Sequence, residues 1–375
     1  MNRTISIIVP MFHGKRYLND ILKQIDQCVQ NCNAAKIELI LYNDSPDEII
    51  QVNETGRKYE IKVFNSKHNR GIHGARVQAL TYAEGEYILF FDQDDKIFPA
   101  YLSKQLECIG NADAVVCRAI HNRRLHYTNT HVFETVISKE FMLKKWCPIV
   151  SPGQVLLRKS SIPSLWKKNI LRNNGADDYF LWLLMVGEGK AFSLNQEILF
   201  EHVITGENMS CNTNTMMDSE LEMLKLLNDN QVFQGEDAVW LSRLSESLRK
   251  VHIKELDNYK RSFVFLQQWN MNLANGRSPF DFFKNKSIQR IALYGAGDLG
   301  KNIEFLLRNT GITVAFYIDQ NAEYIISDLP VYTKENICGD VDAILMTIEN
   351  KALLNEILAL KKCPVYQIAD IWKKD

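Results

Sequence analysis

The sequence predicts an α/β protein with a mostly parallel β-sheet in its first part and a smaller α/β part at its end. β-branched apolar runs alternate with stretches of helical periodicity over the first hundred residues, a pattern typical of parallel sheets covered by helices. From about residue 216 to 283 only helical periodicity remains, and the alternation resumes at residue 288. A chain of 375 residues exceeds the usual size of one compact core. We therefore predict three parts: residues 1–212, a helical connector over 213–286, and an α/β part over 287–375.

Four apolar runs in the first part are predicted strands, over residues 5–9, 37–42, 61–64 and 87–91. Leu18, Ile21, Leu22 and Ile25 have helical spacing after the first run, and a second helix is predicted over 72–83. In parallel sheets of this kind, ligands bind at the carboxyl ends of the strands. Polar residues follow each predicted strand, and we expect them to converge: Phe12-His13, Asn43-Asp44, Asn65 to Arg70 and Asp92 to Asp95.

The fourth strand leads directly into three carboxylates, Asp92, Asp94 and Asp95. A rigid strand end that is still open to solvent can keep such groups ionised. Hard cations such as Mg²⁺ or Mn²⁺ prefer these oxygen ligands. The alternative left open by these residues alone is a solvated acidic turn.

Charge and cysteine content narrow the class of protein. The 45 acidic residues nearly balance the 44 basic ones, which argues against broad nucleic-acid binding through a basic surface. The eight cysteines form no CxxC pair and are expected to be reduced thiols of a cytoplasmic protein. We find no signal-peptide pattern and no apolar stretch long enough to cross a bilayer. Peripheral membrane contact through the basic-aromatic segments 144–146 or 371–374 is a further alternative.

Four ordered motifs carry a resemblance to a known family. They are Ile7 to Phe12, Tyr42 to Asp47, Asn69-Arg70-Gly71 with Ala75-Arg76, and Asp92-Gln93-Asp94. In this order and at these separations, residues 1 to about 210 resemble the family 2 glycosyltransferases of the GT-A fold, and Asp92-Gln93-Asp94 stands at the DxD position. The resemblance implies a nucleotide-diphospho-sugar transferase domain.

Two later features extend the resemblance. Asp177-Asp178 resembles the acidic pair that opens a helix in this family, although Asp177 replaces the more frequent Glu, and His202 resembles a histidine that joins the metal and diphosphate site in several members. Helix capping by the two aspartates is the structural alternative. For His202 the alternative is an ordinary half-buried histidine at a strand end.

The resemblance implies a role in donor binding for eight residues. They are Pro10, Phe12, Asp44, Asn69, Arg76, Asp92, Gln93 and Asp94. Asp94 and His202 are expected to hold Mg²⁺ or Mn²⁺. Asp92 is expected to bind the ribose or support the metal, Asp44 to accept a hydrogen bond from the base, and Phe12 to pack on that base. The Arg76 guanidinium suits a phosphate or an acidic neighbour, since it stays charged.

On the acceptor side, Asp178 is the expected catalytic base. An acceptor hydroxyl is a poor nucleophile, and a carboxylate placed beside it can take its proton in the transition state. One base and one metal suffice for direct displacement, so the family resemblance implies inversion at the anomeric carbon. Trp146, Gly153, Gln154 and Asp177 are expected to line the acceptor site, with a loop around a packed tryptophan as the alternative.

The last part of the chain contains a second candidate site. Gly295, Gly297 and Gly300 fit GxGxxG between a predicted strand and helix, and Asp319 ends the next strand. This pattern predicts a Rossmann-like unit with a nucleotide site, but fewer than a hundred residues remain for it. The alternatives are a scaffold, a partner-binding surface or homo-oligomerisation, because a glycine turn also forms wherever helix and strand approach closely.

The sequence and the resemblance therefore predict a metal-dependent, inverting glycosyltransferase in the cytoplasm. Peripheral attachment to the inner face of the membrane through the basic-aromatic segments is the alternative location. The expected donor is a nucleotide-diphosphate sugar, with UDP as its nucleotide, and the expected acceptor is a glycan or lipid-linked hydroxyl in surface polysaccharide synthesis. Two alternatives stay open. One is an NAD(P)-dependent oxidoreductase built on the last part, and the other is a non-catalytic sugar-nucleotide-binding protein.

Overall fold

The structure is a computed structural model. It describes residues 3–53, 55–121, 123–126, 133–135, 137–206, 208–209, 212–308, 310–325, 327–348, 350–359 and 363–372, with the backbone alone at 254, 255, 258, 280, 324 and 351. Lys373 and Lys374, part of one predicted membrane-contact segment, lie outside the described residues. The chain forms two compact units, residues 1–253 and 254–375. The three-part division at residues 212 and 286 stays a prediction.

The first unit is built on a nine-stranded sheet with the order β3-β2-β1-β4-β8-β6-β9-β5, and β7 pairs with β6. The strands have these bounds: β1 Arg3–Met11, β2 Ala35–Asn43, β3 Glu60–Asn65, β4 Tyr87–Phe90, β5 Lys96–Ile97, β6 Ala114–His121, β7 Arg124–His126, β8 Val155–Arg158 and β9 Phe192–His202.

The prediction of a mostly parallel sheet is correct for the first four strands and for the pair β6–β9, and it is wrong for the other strand pairs of this sheet. Strands β3, β2, β1 and β4 are mutually parallel, whereas β8 runs antiparallel to both β4 and β6. The physical reason is that antiparallel strands need no helical crossover between them, so the alternation of strands and helices on which the prediction rests does not extend to these strands. The sheet is therefore mixed, and the α/β class is confirmed.

Helices of the first unit cover both faces of this sheet. Their bounds are α1 Leu18–Gln30, α2 Gly71–Leu80, α3 Tyr101–Cys108, α4 Lys139–Lys144, α5 Ser164–Lys168, α6 Asp177–Gly187 and α7 Thr213–Asp229. Helix α8, Gly235–Ala274, begins in the first unit and ends in the second. Side chains cap two of these helices: Ser138 accepts a hydrogen bond from the Phe141 N–H at the start of α4, and Asn212 accepts one from the Thr215 N–H at the start of α7.

Successive side chains of β1 enter two different cores. Ile7 packs in the cluster that contains Ile21 and Ile25 of α1, and Ile8 packs in the cluster that contains Ala75 of α2. Each fully buried isoleucine contributes roughly 1.5–3 kcal/mol. Because both faces are buried, β1 is apolar from Ile7 to Met11, and the sheet end is held rigidly where the polar residues begin.

The second unit contains a five-stranded, fully parallel sheet with the order β12-β11-β10-β13-β14. Its elements are β10 Arg290–Tyr294, β11 Thr313–Ile318, β12 Val331–Tyr332, β13 Ala343–Met346, β14 Val365–Gln367, α9 Pro279–Asn285, α10 Asp298–Leu307 and α11 Lys351–Ala359. This is the order of the first five strands in doubly wound dinucleotide-binding sheets. Within the described residues, no helix combines the length and apolar character needed to cross a bilayer.

Candidate functional site

The loops that follow β1 and β4 lie side by side at the carboxyl edge of the sheet. Ile8 of β1 is in register with Phe90, the last residue of β4, and β1 continues for three more residues to Met11. The Phe12 N–H donates to the Gln93 Oε1 at 3.1 Å, and the Gln93 Nε2 donates back to the Phe12 carbonyl at 3.0 Å. This reciprocal pair joins the predicted base-stacking loop to the DxD loop. The Phe12 ring itself is 48% exposed.

Asp44, at the end of β2, lies at the same edge. Its buried carboxylate accepts the Arg70 N–H through both oxygens, at 3.0 and 2.8 Å. Burial raises the pKa of Asp44, while the hydrogen bond from Arg70 opposes the rise. Nearby, the Asn69 side chain accepts the Gly71 N–H at 2.8 Å, and Pro10 is buried in β1 opposite Tyr42. These contacts fix the loop that begins α2.

A buried arginine connects the DxD motif with the acidic pair of α6. Arg76 on α2 is 4% exposed; its Nη1 donates to the Asp177 Oδ2 at 2.6 Å, and its Nη2 donates to the Asp92 Oδ1 at 2.5 Å. Burial opposes the charged guanidinium, but the charges of Asp177 and Asp92 outweigh it and raise the pKa of Arg76. Of the two partners predicted for Arg76, a phosphate or an acidic neighbour, the structure contains the acidic neighbour.

Asp178 lies next to this ion-pair bridge and is half-buried. Its Oδ1 accepts the N–H of Tyr179 at 2.6 Å. Burial and the charge of Asp177 raise the pKa of Asp178 to about 7, although Arg76 acts in the opposite direction. A carboxylate with a pKa near the working pH is suited to accept a proton. Asp177 forms no helix cap here, since its carboxylate binds Arg76.

A second hydrogen-bond network is centred on Asp95. The sequence did not indicate that Asp95 binds Ser151 and His202. This buried carboxylate accepts the Ser151 hydroxyl at 2.6 Å, the His202 Nδ1–H at 2.8 Å and the Val203 N–H at 3.0 Å. Burial disfavours a charged His202, but its hydrogen bond to Asp95 and the nearby carboxylates raise the pKa of the ring. Asp95 therefore fixes the imidazole and leaves Nε2 as the ring nitrogen for another ligand. The available sequence signal for this network was Asp95 itself, the acid that directly follows Asp92-Gln93-Asp94.

Asp94 differs from its two acidic neighbours in having no cationic partner. Asp92 pairs with Arg76 and Asp95 with His202, whereas Asp94 accepts only the Asn208 Nδ2–H at 3.2 Å and forms no ion pair within the described part of the chain. Burial, followed by the charges of Asp95 and Asp92, raises the pKa of Asp94 to about 6. A carboxylate that is repelled by two neighbouring carboxylates and forms no ion pair among the described residues fits a divalent cation.

The described residues contain no cluster of three or more His, Cys, Asp or Glu side chains arranged to hold a metal ion. Mg²⁺-type sites, however, commonly use one or two carboxylates together with substrate phosphates and water. Asp94, with the imidazole of His202 nearby, is chemically suited to supply the protein ligands of such a site, with phosphate and water as the other ligands.

The residues predicted for the acceptor side differ in accessibility. Trp146 is 38% exposed and packs edge-to-face on Phe141, with 5.2 Å between the ring centroids. Gln154 is buried, and its amide donates to the Cys117 carbonyl at 2.7 Å and accepts the Val150 N–H at 3.2 Å. A Cβ on Gly153 would lie 2.5 Å from the ring of Phe200, so only glycine fits there. The amide of Gln154 is thus already engaged inside the protein.

The segment that leads into α6 is anchored to α2 through His73. The ring accepts the Leu171 N–H at Nδ1, at 3.0 Å, and Nε2 lies 3.1 Å from the Trp166 carbonyl, which requires one neutral tautomer. The indole N–H of Trp166 in turn donates to the Asp177 carbonyl at 2.8 Å. Burial lowers the pKa of His73.

His73 is therefore expected to make stability pH-dependent. Because its folded-state pKa lies below the unfolded value of about 6.5, its contribution is complete above pH 6.5 and is lost as the pH falls toward the folded-state pKa. His73→Leu should lower the free energy of unfolding by about 2 kcal/mol or more at pH 7. In urea unfolding at a series of pH values, the difference from wild type should shrink toward pH 5. Exposed His68, changed to Gln, is the control, and a constant difference would contradict the assignment.

In the second unit, the predicted glycine turn is explained by packing. Gly295 has a φ of +106°, and a Cβ on Gly300 would lie 2.0 Å from the Gly295 carbonyl oxygen. Gly297 precedes the first residue of α10. Asp319, the predicted ribose ligand, accepts the Ala296 N–H at 3.0 Å and the Asn321 N–H at 3.0 Å. The carboxylate thus closes on the turn itself, and a nucleotide site here stays a prediction.

Comparison with known proteins identifies the class. Residues 6–166 match the family model described as glycosyl transferase family 2. Together with the mixed sheet whose strand ends carry the DxD motif, this match shows that the first unit contains a family 2 glycosyltransferase domain of the GT-A type, as the motifs predicted.

Individual relatives are similar over parts of their length. An uncharacterized glycosyltransferase of Haemophilus influenzae is 41% identical over 106 residues, which are 27% of this chain and 40% of the relative. The GalNAc(5)-diNAcBac-PP-undecaprenol beta-1,3-glucosyltransferase of Campylobacter jejuni is 26% identical over 290 residues, covering 70% of this chain and 86% of the relative. In the Haemophilus relative, in GgaB of Bacillus subtilis and in TarS of Staphylococcus aureus, the match covers 40% or less of the relative's length.

Among solved structures, the crystal structure of S. aureus TarS 1-349 in complex with UDP-GlcNAc has a TM-score of 0.46 and 18% sequence identity. The match covers 66% of this chain and 72% of the TarS chain.

Proposed function

We propose that this protein is a metal-dependent, inverting glycosyltransferase that moves a sugar from a UDP-sugar to a hydroxyl group of a glycan or lipid-linked acceptor. The observation that carries the proposal is the Arg76 bridge, which joins Asp92 of the DxD motif to Asp177, the immediate neighbour of the candidate base Asp178. Residues 85 positions apart in the chain are thereby held within one buried network.

Asp178 is proposed to be the catalytic base. The acceptor oxygen attacks the anomeric carbon, its proton passes to the Asp178 carboxylate, and the carbon–oxygen bond to the nucleoside diphosphate breaks. Since a single displacement has no covalent intermediate, the configuration at the anomeric carbon inverts. The raised pKa of Asp178 strengthens it as a base relative to an exposed aspartate.

The donor side is assigned to the loops after β1, β2 and β4. Phe12, Asp44 and Asn69 are proposed to bind the nucleoside, with the exposed ring of Phe12 available for packing on the base. Asp94 and His202 are proposed to hold Mg²⁺ or Mn²⁺. When bound, such an ion offsets the negative charge that grows on the departing diphosphate.

The acceptor class rests on the relatives. The Campylobacter relative is, by its name, a glucosyltransferase acting on an undecaprenol-linked glycan, and GgaB of Bacillus subtilis is named as a minor teichoic acid biosynthesis protein. We extend this class, surface polysaccharide synthesis on a lipid-linked or glycan acceptor, to the present chain. Action at the cytoplasmic membrane face and homo-oligomerisation are part of the same proposal.

Thermal denaturation with a panel of UDP-, GDP-, CDP- and dTDP-sugars, with Mn²⁺ or with EDTA, tests the donor. A ligand that binds only the folded state raises the melting temperature. At a ligand concentration 100 times the dissociation constant, the free energy of unfolding rises by about 2.7 kcal/mol. We expect stabilisation by UDP-sugars that requires Mn²⁺. The selected donor is then incubated with an acceptor panel, and the anomeric configuration of the product is read by NMR.

Two results would contradict the proposal. Stabilisation by NAD(P)H with no sugar-nucleotide effect would favour the oxidoreductase alternative. Donor binding without transfer or donor hydrolysis would favour a non-catalytic sugar-nucleotide-binding protein.

A further inference from the structure

Two carboxylates bind one buried cation at the junction of α2, the DxD loop and α6, and a third carboxylate, Asp178, is adjacent in the chain to one of them. Arg76 binds Asp92 and Asp177 directly, and Asp178 is the next residue along α6. Asp177 is 3% exposed at its side chain and Asp92 is 25% exposed. A buried charge without a partner is unfavourable, so the Arg76 guanidinium and its two carboxylate partners stabilise one another.

We propose that Arg76 is a positioning residue that acts through Asp178. By pairing with Asp92 and Asp177 it fixes those two carboxylates beside the start of α6, and so holds Asp178 where it can take the proton of the acceptor hydroxyl. The proposal deepens the function above and rests on it. It removes Arg76 from direct donor contact, because the side chain is 4% exposed, each terminal nitrogen donates to a carboxylate, and Nε is buried without a partner among the described residues.

The charged and titratable groups around Asp178 come from four segments. Asp177 precedes it on α6, Arg76 faces it from α2, Asp92 from the loop after β4, and Cys147 from the segment after α4. Burial keeps Cys147 a neutral thiol by raising its pKa. Arg76 is the cation in this group, and its charge lowers the pKa of Asp178. The charges of Asp177 and Asp92 raise that pKa. Removing Arg76 or Asp177 should therefore shift the titration of Asp178 in opposite directions.

The test is the pH dependence of kcat/KM for the purified 375-residue protein, with the donor and acceptor found for wild type. Activity should fall on the acid side as Asp178 takes up a proton. In Arg76→Met, the midpoint of this acid limb should move to higher pH by about one unit, the usual effect of a close charge. In Asp177→Asn it should move to lower pH. Arg158→Met, which removes an arginine bound to Glu86 and Tyr87 at the opposite end of β4, should leave the limb in place.

A merely structural arginine would reduce kcat without shifting the limb, so unmoved midpoints, or shifts of the same sign in both variants, would overturn the proposal. If Arg76→Met does not fold, Arg76→Gln removes the charge while its planar amide keeps one hydrogen bond. If neither folds, the Asp177→Asn shift decides alone. Wild-type turnover is measured first: its absence counts against the proposed function, whereas turnover with unshifted limbs counts against the role of Arg76 only.

Discussion

Asp178→Asn is expected to reduce the rate of sugar transfer by about 10²- to 10⁴-fold while nucleotide-sugar affinity stays within about twofold of wild type. The amide is nearly the same size as the carboxylate and can still accept the Tyr179 N–H, so the start of α6 should keep its shape. It cannot take up the acceptor proton. Single-turnover kinetics measures the chemical step, and calorimetric titration with the donor measures binding.

The wild-type pH profile belongs to the same prediction. Because the pKa of Asp178 is raised to about 7, transfer should decline as the pH falls below neutrality, and Asp178→Asn should lack this limb. Asp229→Asn is a matched control, since that aspartate pairs with Lys225 on the surface of α7. A fully active Asp178→Asn variant would show that another residue is the base.

Asp94→Ala is expected to abolish the contribution of Mn²⁺ to nucleotide binding. Without this carboxylate the affinity for UDP in the presence of Mn²⁺ should fall on the order of 10- to 100-fold, toward the value in EDTA. Calorimetry with and without Mn²⁺ gives both values. Asp20→Ala, a change at an exposed aspartate on α1, is the control.

The same variant should be at least as stable as wild type when no ligand is bound. The pKa of Asp94 is raised to about 6, so its charge is disfavoured in the folded state at neutral pH. Removing it relieves repulsion by Asp92 and Asp95. An unchanged Mn²⁺ effect together with a large loss of stability would mean that Asp94 serves the fold and not a metal.

The sequence was most informative where a buried strand ended in polar residues. The first four strands were predicted within a few residues, because their β-branched runs are bounded by polar turns, and the end of β4 carries Asp92 as predicted. The order of the motifs also predicted the glycosyltransferase domain. These signals are local, and each can be recognised within about ten residues.

Tertiary relations were harder to predict. The strand β8 has only four residues and no alternation, so neither its presence nor its antiparallel direction between β4 and β6 was visible. Asp95 was seen as an acid but not as the partner of Ser151 and His202, which lie 56 and 107 positions away. The choice of Arg76 between phosphate and carboxylate likewise depended on which side chains the fold brings beside it.

The paired hydrogen bonds between Phe12 and Gln93 have a thermodynamic consequence. A nucleobase packed on Phe12 and a cation bound at Asp94 would each restrict the motion of the same hydrogen-bonded pair, the Phe12 main chain and the Gln93 amide. Occupying one position thus lowers the ordering cost of the other, and by linkage the gain must be mutual. The affinity for the cation and the affinity for the nucleotide would then each be higher when the other is bound, in addition to any direct attraction between the ion and the diphosphate.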